Sequence, residues 1–156
     1  MEHKLRVIDP EELMSQLPSL LQEAESVPLV ISGSSMTPFL VHGRDTVYLS
    51  KVTQPLKRGD MILYRRSTGA YILHRIVRQR DGAFDLVGDA QLEIEPGIHP
   101  EQVLAVVRAV RRKGKLLRKG SFWWEFFEHV WLLLRPLRPG ICRLYAVLTA
   151  WRKRND

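Results

Sequence analysis

Between residues 27 and 117 the chain repeats one pattern: short runs rich in Val, Ile, Leu and Tyr, separated by Gly, Pro or Asp turns. Runs of this kind read as β-strands, and the candidates are 27–32, 46–51, 61–65, 70–78, 83–87 and 103–112. Together they predict a mainly β fold. Asp81-Gly82 is a hairpin signal, because a tight two-residue turn needs residues that accept positive φ. In the run before it, Tyr71, Leu73 and Arg75 alternate with Ile72, His74 and Ile76, so His74 shares a strand face with the two isoleucines. The hairpin returns Gly88-Asp89 alongside the start of that strand.

The flanks differ in composition. Residues 10–25 carry Leu13, Leu17, Leu20 and Leu21 at helical spacing, with Pro18 predicting a break or two shorter helices. This divides the chain into an N-terminal helical segment (1–26), a β-rich domain (27–119) and an aromatic, basic helical tail (120–156). A length of 156 residues suits one compact domain. The single cysteine, Cys142, excludes an internal disulfide and fits a reducing compartment. In an apolar helical tail it is expected to be a buried, inert thiol. No Cys/His cluster has zinc spacing, and no glycine loop has the phosphate-binding or dinucleotide pattern. No cofactor or metal is therefore expected. The net charge of +7 permits nucleic-acid contact, but no helix-turn-helix or RNA-binding signature accompanies it, and none is expected.

The chemistry-bearing element is Gly33-Ser34-Ser35-Met36-Thr37-Pro38-Phe39-Leu40, followed by the strand histidine His74. A serine hydroxyl is a poor nucleophile until a positioned base takes its proton, and neutral imidazole suits that task. The landmarks 33–40, then Gly59-Asp60 before a hydrophobic strand, His74-Arg75 and Gly88-Asp89 resemble, in that order, signal peptidase I and the SOS-repressor peptidases. The resemblance spans roughly residues 28–112 and implies a signal-peptidase-like β domain with Ser35 as nucleophile and Ser34 as its neighbour. Many members of that superfamily use a lysine base. Here Lys51 and Lys57 precede Gly59-Asp60, the next lysine is Lys113, and Arg75 cannot release its proton. His74 remains, so the chain is most similar to the Ser-His branch of endoplasmic-reticulum, archaeal and sporulation-type signal peptidases.

A third group should orient the imidazole. The family pattern Gly-Asp-x-Asn implies Asp89, although the asparagine is missing, and Glu93 and Glu95 stand in reserve. Asp60 reads as part of a tight turn. The family's oxyanion-assisting serine falls on Gly33 in this chain, leaving backbone N–H groups around Ser35 for that role. Gly33, Ser34 and Met36 then form the substrate and oxyanion side, with Pro38 stiffening the turn.

Residues 121–151 hold three of the four tryptophans early and one late, interrupted by Arg135-Pro136 and Arg138-Pro139-Gly140. Two short helices are expected, too interrupted to span a bilayer. Aromatic anchors with basic flanks suit helices lying in a membrane interface; a partner surface, or the chain's own β domain, are the alternatives. Residues 1–27 show no hydrophobic targeting segment, which points to a cytoplasmic location, peripheral on the inner membrane face if the tail binds there. The function expected is a serine endopeptidase that cleaves a precursor or leader peptide with a Ser-His dyad or triad. The competing expectation is a catalytically inactive peptidase-fold adaptor that binds peptide by strand addition.

Overall fold

A computed structural model describes residues 10–155; residues 1–9 of the N-terminal segment lie outside the described part. The order of elements is α1 (Pro10–Glu23), β1 (Val27–Val30), β2 (Thr46–Ser50), β3 (Met61–Arg65), β4 (Tyr71–Arg80), β5 (Ala83–Val87), β6 (Glu95–Ile98), β7 (Val103–Arg112) and β8 (Lys115–Arg118). Helical turns follow: α2 (Phe122–Glu125), a π-helical turn (Phe126–Val130), α3 (Trp131–Leu133) and a 3-10 turn (Arg135–Leu137). The long helix α4 (Arg138–Asn155) closes the chain.

The strands form one antiparallel sheet in the order β1-β2-β7-β3-β4-β5-β6, with β8 also pairing with β7. β7 makes this possible by its length. Its first half pairs with β3 through Val103 to Val106, and its second half takes β8 against residues 109–112. The other edge of β7 is occupied by β2 through residues 106–111.

Each face of the sheet has its own core. Met61, Leu63, Val47, Leu49, Ala105 and Val107 point to one side. They are covered there by Met14, Leu17 and Leu21 of α1, by Met36, Phe39 and Leu40, and by Trp124, Phe127 and Trp131. Ile62, Tyr64, Ile76, Phe84, Leu86, Ile98 and Val106 form the second core. Because side chains alternate along a strand, the neighbours His74 and Arg75 on β4 point to opposite faces.

Three local expectations differ from the structure. α1 runs unbroken through Pro18. A mid-helix proline costs ~3 kcal/mol, and burying Met14, Leu17 and Leu21 on the sheet offsets that, at about 1.5–3 kcal/mol for each large side chain. Pro139 does not interrupt the tail either; it lies in the first turn of α4, where the missing N–H has no intrahelical partner to lose. Cys142 is exposed rather than buried, because α4 does not pack its length on the domain.

Candidate active site

The segment that carries Ser35 joins β1 to β2 and is held by its hydrophobic residues. Met36, Phe39 and Leu40 are fully buried, and Phe39 packs its ring 4.7 Å from Phe127 and edge-on to Trp124. Arg112 fixes the same residue from β7, donating Nε–H to the Phe39 carbonyl at 2.7 Å. The backbone turns through Thr37 N–H to Ser34 O (3.1 Å) and Leu40 N–H to Met36 O (2.9 Å). Gly33 takes φ +84°, with open space where a side chain would stand. The glycine is therefore required by backbone conformation and leaves its outer side clear.

Across from this segment lies the stretch after β5. Ala90 N–H donates to the Ser35 carbonyl at 2.9 Å. Gly88 permits the approach, since a Cβ there would stand 2.5 Å from that same oxygen. Ser35 itself is half-buried and Ser34 exposed. No hydrogen bond among the described residues uses the N–H of Ser34, Ser35 or Met36, so three consecutive backbone donors are free at the predicted nucleophile.

His74 is 2% exposed, on the face of the second core. Its Nδ1 lies 3.2 Å from the Tyr64 hydroxyl, which is 2.5 Å from Glu95 Oε2. Arg66 completes the chain with two bonds of 2.7 Å to the same carboxylate. These contacts fix the tautomer. Burial and the Glu95 carboxylate raise the Tyr64 pKa, so the phenol keeps its one proton and donates it to Glu95, whose own pKa is lowered chiefly by the Arg66 bonds. Tyr64 can then only accept from Nδ1–H, which leaves the lone pair on Nε2. Nε2 has no protein partner, yet the sole buried side-chain polar atom without one among the described residues is Arg138 Nε. The sliver of His74 that meets solvent therefore includes its basic nitrogen.

Burial, reinforced by Arg66, pushes the His74 pKa down from 6.5 to about 4, against the pull of Glu95 and Asp89. The ring is neutral at physiological pH, and its 3.8 Å approach to Glu95 is not an ion pair there. No hydrogen bond joins Ser35 Oγ to His74 among the described residues.

Asp89, expected to orient His74, is instead bound to Arg75. Arg75 Nε–H and Nη2–H reach its two carboxylate oxygens at 3.0 Å each, while Nη1–H donates to the Gly59 carbonyl at 2.9 Å. The reason is strand alternation: Val87 pairs with Arg75 in register, and the chain beyond it continues on Arg75's side of the sheet. Of the two reserves, Glu95 reaches the His74 environment. Glu93 is exposed and lines, with Arg66, Gln91, Leu92, Ile94 and Glu95, an open recess of about 540 Å3. Met36 contributes its backbone only, its side chain being in the core. Asp60 accepts from Lys57 N–H at 3.0 Å, closing the expected tight turn.

Sequence reasoning missed Tyr64. Its signal is a register relation: Ile62 faces His74 across β3 and β4, which puts Tyr64, two residues on, diagonally beside the imidazole. It also missed the tail's grip on the site. Trp131 Nε1–H donates to Asp89 O at 2.8 Å, and Arg138 donates to the carbonyls of Gly88, Gln91 and Trp131 at 2.8–3.0 Å.

The one grouping of metal-ligand type among the described residues is Glu125, Glu128 and His129. Its members are otherwise engaged: Trp124 and Lys119 hold Glu128, and Glu125 pairs with His129. The chain matches no family model, and no curated protein matches it.

Proposed function

We propose that the protein is a signal-peptidase-like serine endopeptidase acting on a precursor or leader peptide, with Ser35 as nucleophile and His74 as base. The observation that carries this reading is the state of His74. A neutral imidazole with Nδ1 engaged and no protein partner on Nε2 keeps a lone pair free to accept a proton, as a weaker base than free histidine because burial lowers its pKa to about 4. The landmark order in the sequence and the three free N–H groups around Ser35 support the same reading.

The mechanism requires substrate binding to bring Ser35 Oγ to His74 Nε2, since no hydrogen bond joins them in the free protein; catalytic hydrogen bonds are often long or poorly aligned before substrate binds. Ser35 attacks the scissile carbonyl as Nε2 takes the hydroxyl proton. The oxyanion forms against the free N–H groups of Ser34 to Met36, donors worth ~3–4 kcal/mol in serine peptidases. His74 passes the proton to the leaving amine, and the C–N bond breaks. Water, deprotonated by the same nitrogen, then hydrolyses the acyl-enzyme. Glu95, acting through Tyr64, holds the tautomer and stabilises the imidazolium as it forms, the role the sequence assigned first to Asp89.

The test is a mixture of synthetic peptides of diverse sequence, with cleavage followed by mass spectrometry. Ser35→Ala and His74→Gln should each lose about 1,000-fold or more of the cleavage rate, and the half-buried Ser35→Ala should keep the wild-type thermal unfolding transition. Equal cleavage by Ser35→Ala refutes the mechanism. Peptides retained by the wild-type protein without cleavage favour the adaptor reading, which the free edge of β1, beside β2, equally suits.

A further inference from the structure

The tail divides at Arg138. Before it, Trp124, Phe127, Trp131 and Leu132 are buried against the sheet. After it, Ile141, Leu144, Tyr145, Val147, Leu148 and Trp151 are all exposed, five of them by more than half. At the helical 100° per residue these six fall in one arc of ~160°, with Arg143 outside it and Arg152 inside it at the C-terminal end, where its long stem lets the guanidinium reach outward. So wide an apolar face is unusual on an exposed helix and marks an interaction surface.

The charge on the helix says what covers it. Its sequence, RPGICRLYAVLTAWRKRN, contains no acidic residue. Arg143 and Arg152 are exposed, and Lys153 and Arg154 extend the basic end. A second copy packing antiparallel would set Arg143 against that basic end, with no carboxylate on either helix to relieve it, and like charges so placed are destabilising. A phosphate-bearing lipid surface supplies the complement. Eighteen residues at 1.5 Å each make a helix of ~27 Å, and no described helix is long and apolar enough to cross a membrane. Trp151 and Tyr145 are the residue types that settle at the headgroup boundary.

We propose that α4 docks on an anionic lipid surface, lying in its plane, with Leu144, Tyr145, Val147, Leu148 and Trp151 inserted and the arginines at the headgroups. This narrows the tail's membrane-facing part to the residues after Arg138, and it holds whether or not Ser35 is a nucleophile.

The experiment is co-sedimentation of the full chain with phosphatidylcholine vesicles containing or lacking phosphatidylglycerol. Binding is expected to the anionic vesicles and to weaken with salt. The double variant Leu144→Asp/Leu148→Asp, whose side chains are exposed, should unfold thermally as the wild type does and lose binding at least tenfold. At ~1 kcal/mol per basic residue near the surface, Arg143→Gln/Arg152→Gln should weaken binding by about tenfold or more. No sedimentation with anionic vesicles overturns the proposal, as does equal binding to pure phosphatidylcholine or undiminished binding by the aspartate variant. So does a dimer, seen by sedimentation equilibrium, that the aspartate variant dissolves, since a second copy would then be the occupant.

Discussion

His74 and Arg75 are neighbours on one strand, almost equally buried, and they have opposite chemical fates. Arg75 spends its donors on Asp89 and the Gly59 carbonyl and stacks 5.5 Å from the Phe39 ring. It is a closed knot, tying β4 to the stretch after β5 and to the turn before β3. His74 has one nitrogen tied down through Tyr64 and the other free. The difference teaches how to read a buried polar group. A group with every partner present builds structure, whereas one held on one side and without a partner on the other is a candidate for chemistry.

The comparison breaks first at Arg75. Arg75→Met leaves Asp89 buried without its cation, and breaking such a pair from one side costs ~3–5 kcal/mol. Urea unfolding should show a loss of that size, while Arg75→Met/Asp89→Leu should recover much of it. Full stability in the single variant would mean that the knot is not structural.

His74 should show itself through pH. Its folded pKa of about 4 lies below the ordinary 6.5, so the unfolded chain binds the proton first as pH falls. The stabilisation is complete above about pH 6.5 and is lost as the pH falls through 4, reaching ~3 kcal/mol for a shift of this size. Unfolding free energies at pH 7 and pH 4 should differ by about that much more in the wild type than in His74→Gln. An unaltered pH dependence in the variant would contradict the neutral, desolvated ring. If the protein cleaves peptides, the acid limb of kcat/KM should lie near pH 4 rather than 6.5.

The smallest effect is expected at Tyr64. Tyr64→Phe removes the acceptor for Nδ1–H and costs ~1 kcal/mol of stability. If the protein cleaves peptides with His74 as base, it should also lower kcat by about tenfold or more with KM little changed, because orientation of the base is what is lost. A stability loss in Tyr64→Phe with an unchanged rate would assign the hydroxyl to structure alone.

Much of the scaffold was legible because alternation writes itself into sequence. The strands from 27 to 112 and the Asp81-Gly82 hairpin follow from it, and the mainly antiparallel sheet with C-terminal helices is what the structure has. β6 was not legible, because Glu95-Pro96-Gly97-Ile98 reads as a turn; an edge strand tolerates its proline. β8 carries too few apolar residues to stand out, and it exists because β7 offers it an unpaired edge. At the site, Ser35 and His74 were visible as residue types in an order. The partner of each carboxylate was not, since which of Asp89 and Glu95 meets the histidine depends on strand register and on which face each residue takes. The tail's two roles were hidden too. Trp131 and Trp151 are alike in composition, and only the fold separates the one that meets Asp89 from the one left in solvent.

The bonds from Trp131 and Arg138 to residues 88–91, and the cover that Trp124 and Phe127 give Phe39, also set a timetable. Synthesis runs from the N-terminus, so Ser35 and His74 emerge from the ribosome long before the residues that brace the 88–91 stretch. Until residues 124–127 have been made the ring of Phe39 lacks its roof, and until residue 138 has been made the 88–91 stretch lacks its full backstop. The candidate site is thus assembled last, by the part of the chain made after it, and a half-made chain carries Ser35 and His74 without the frame that the tail supplies.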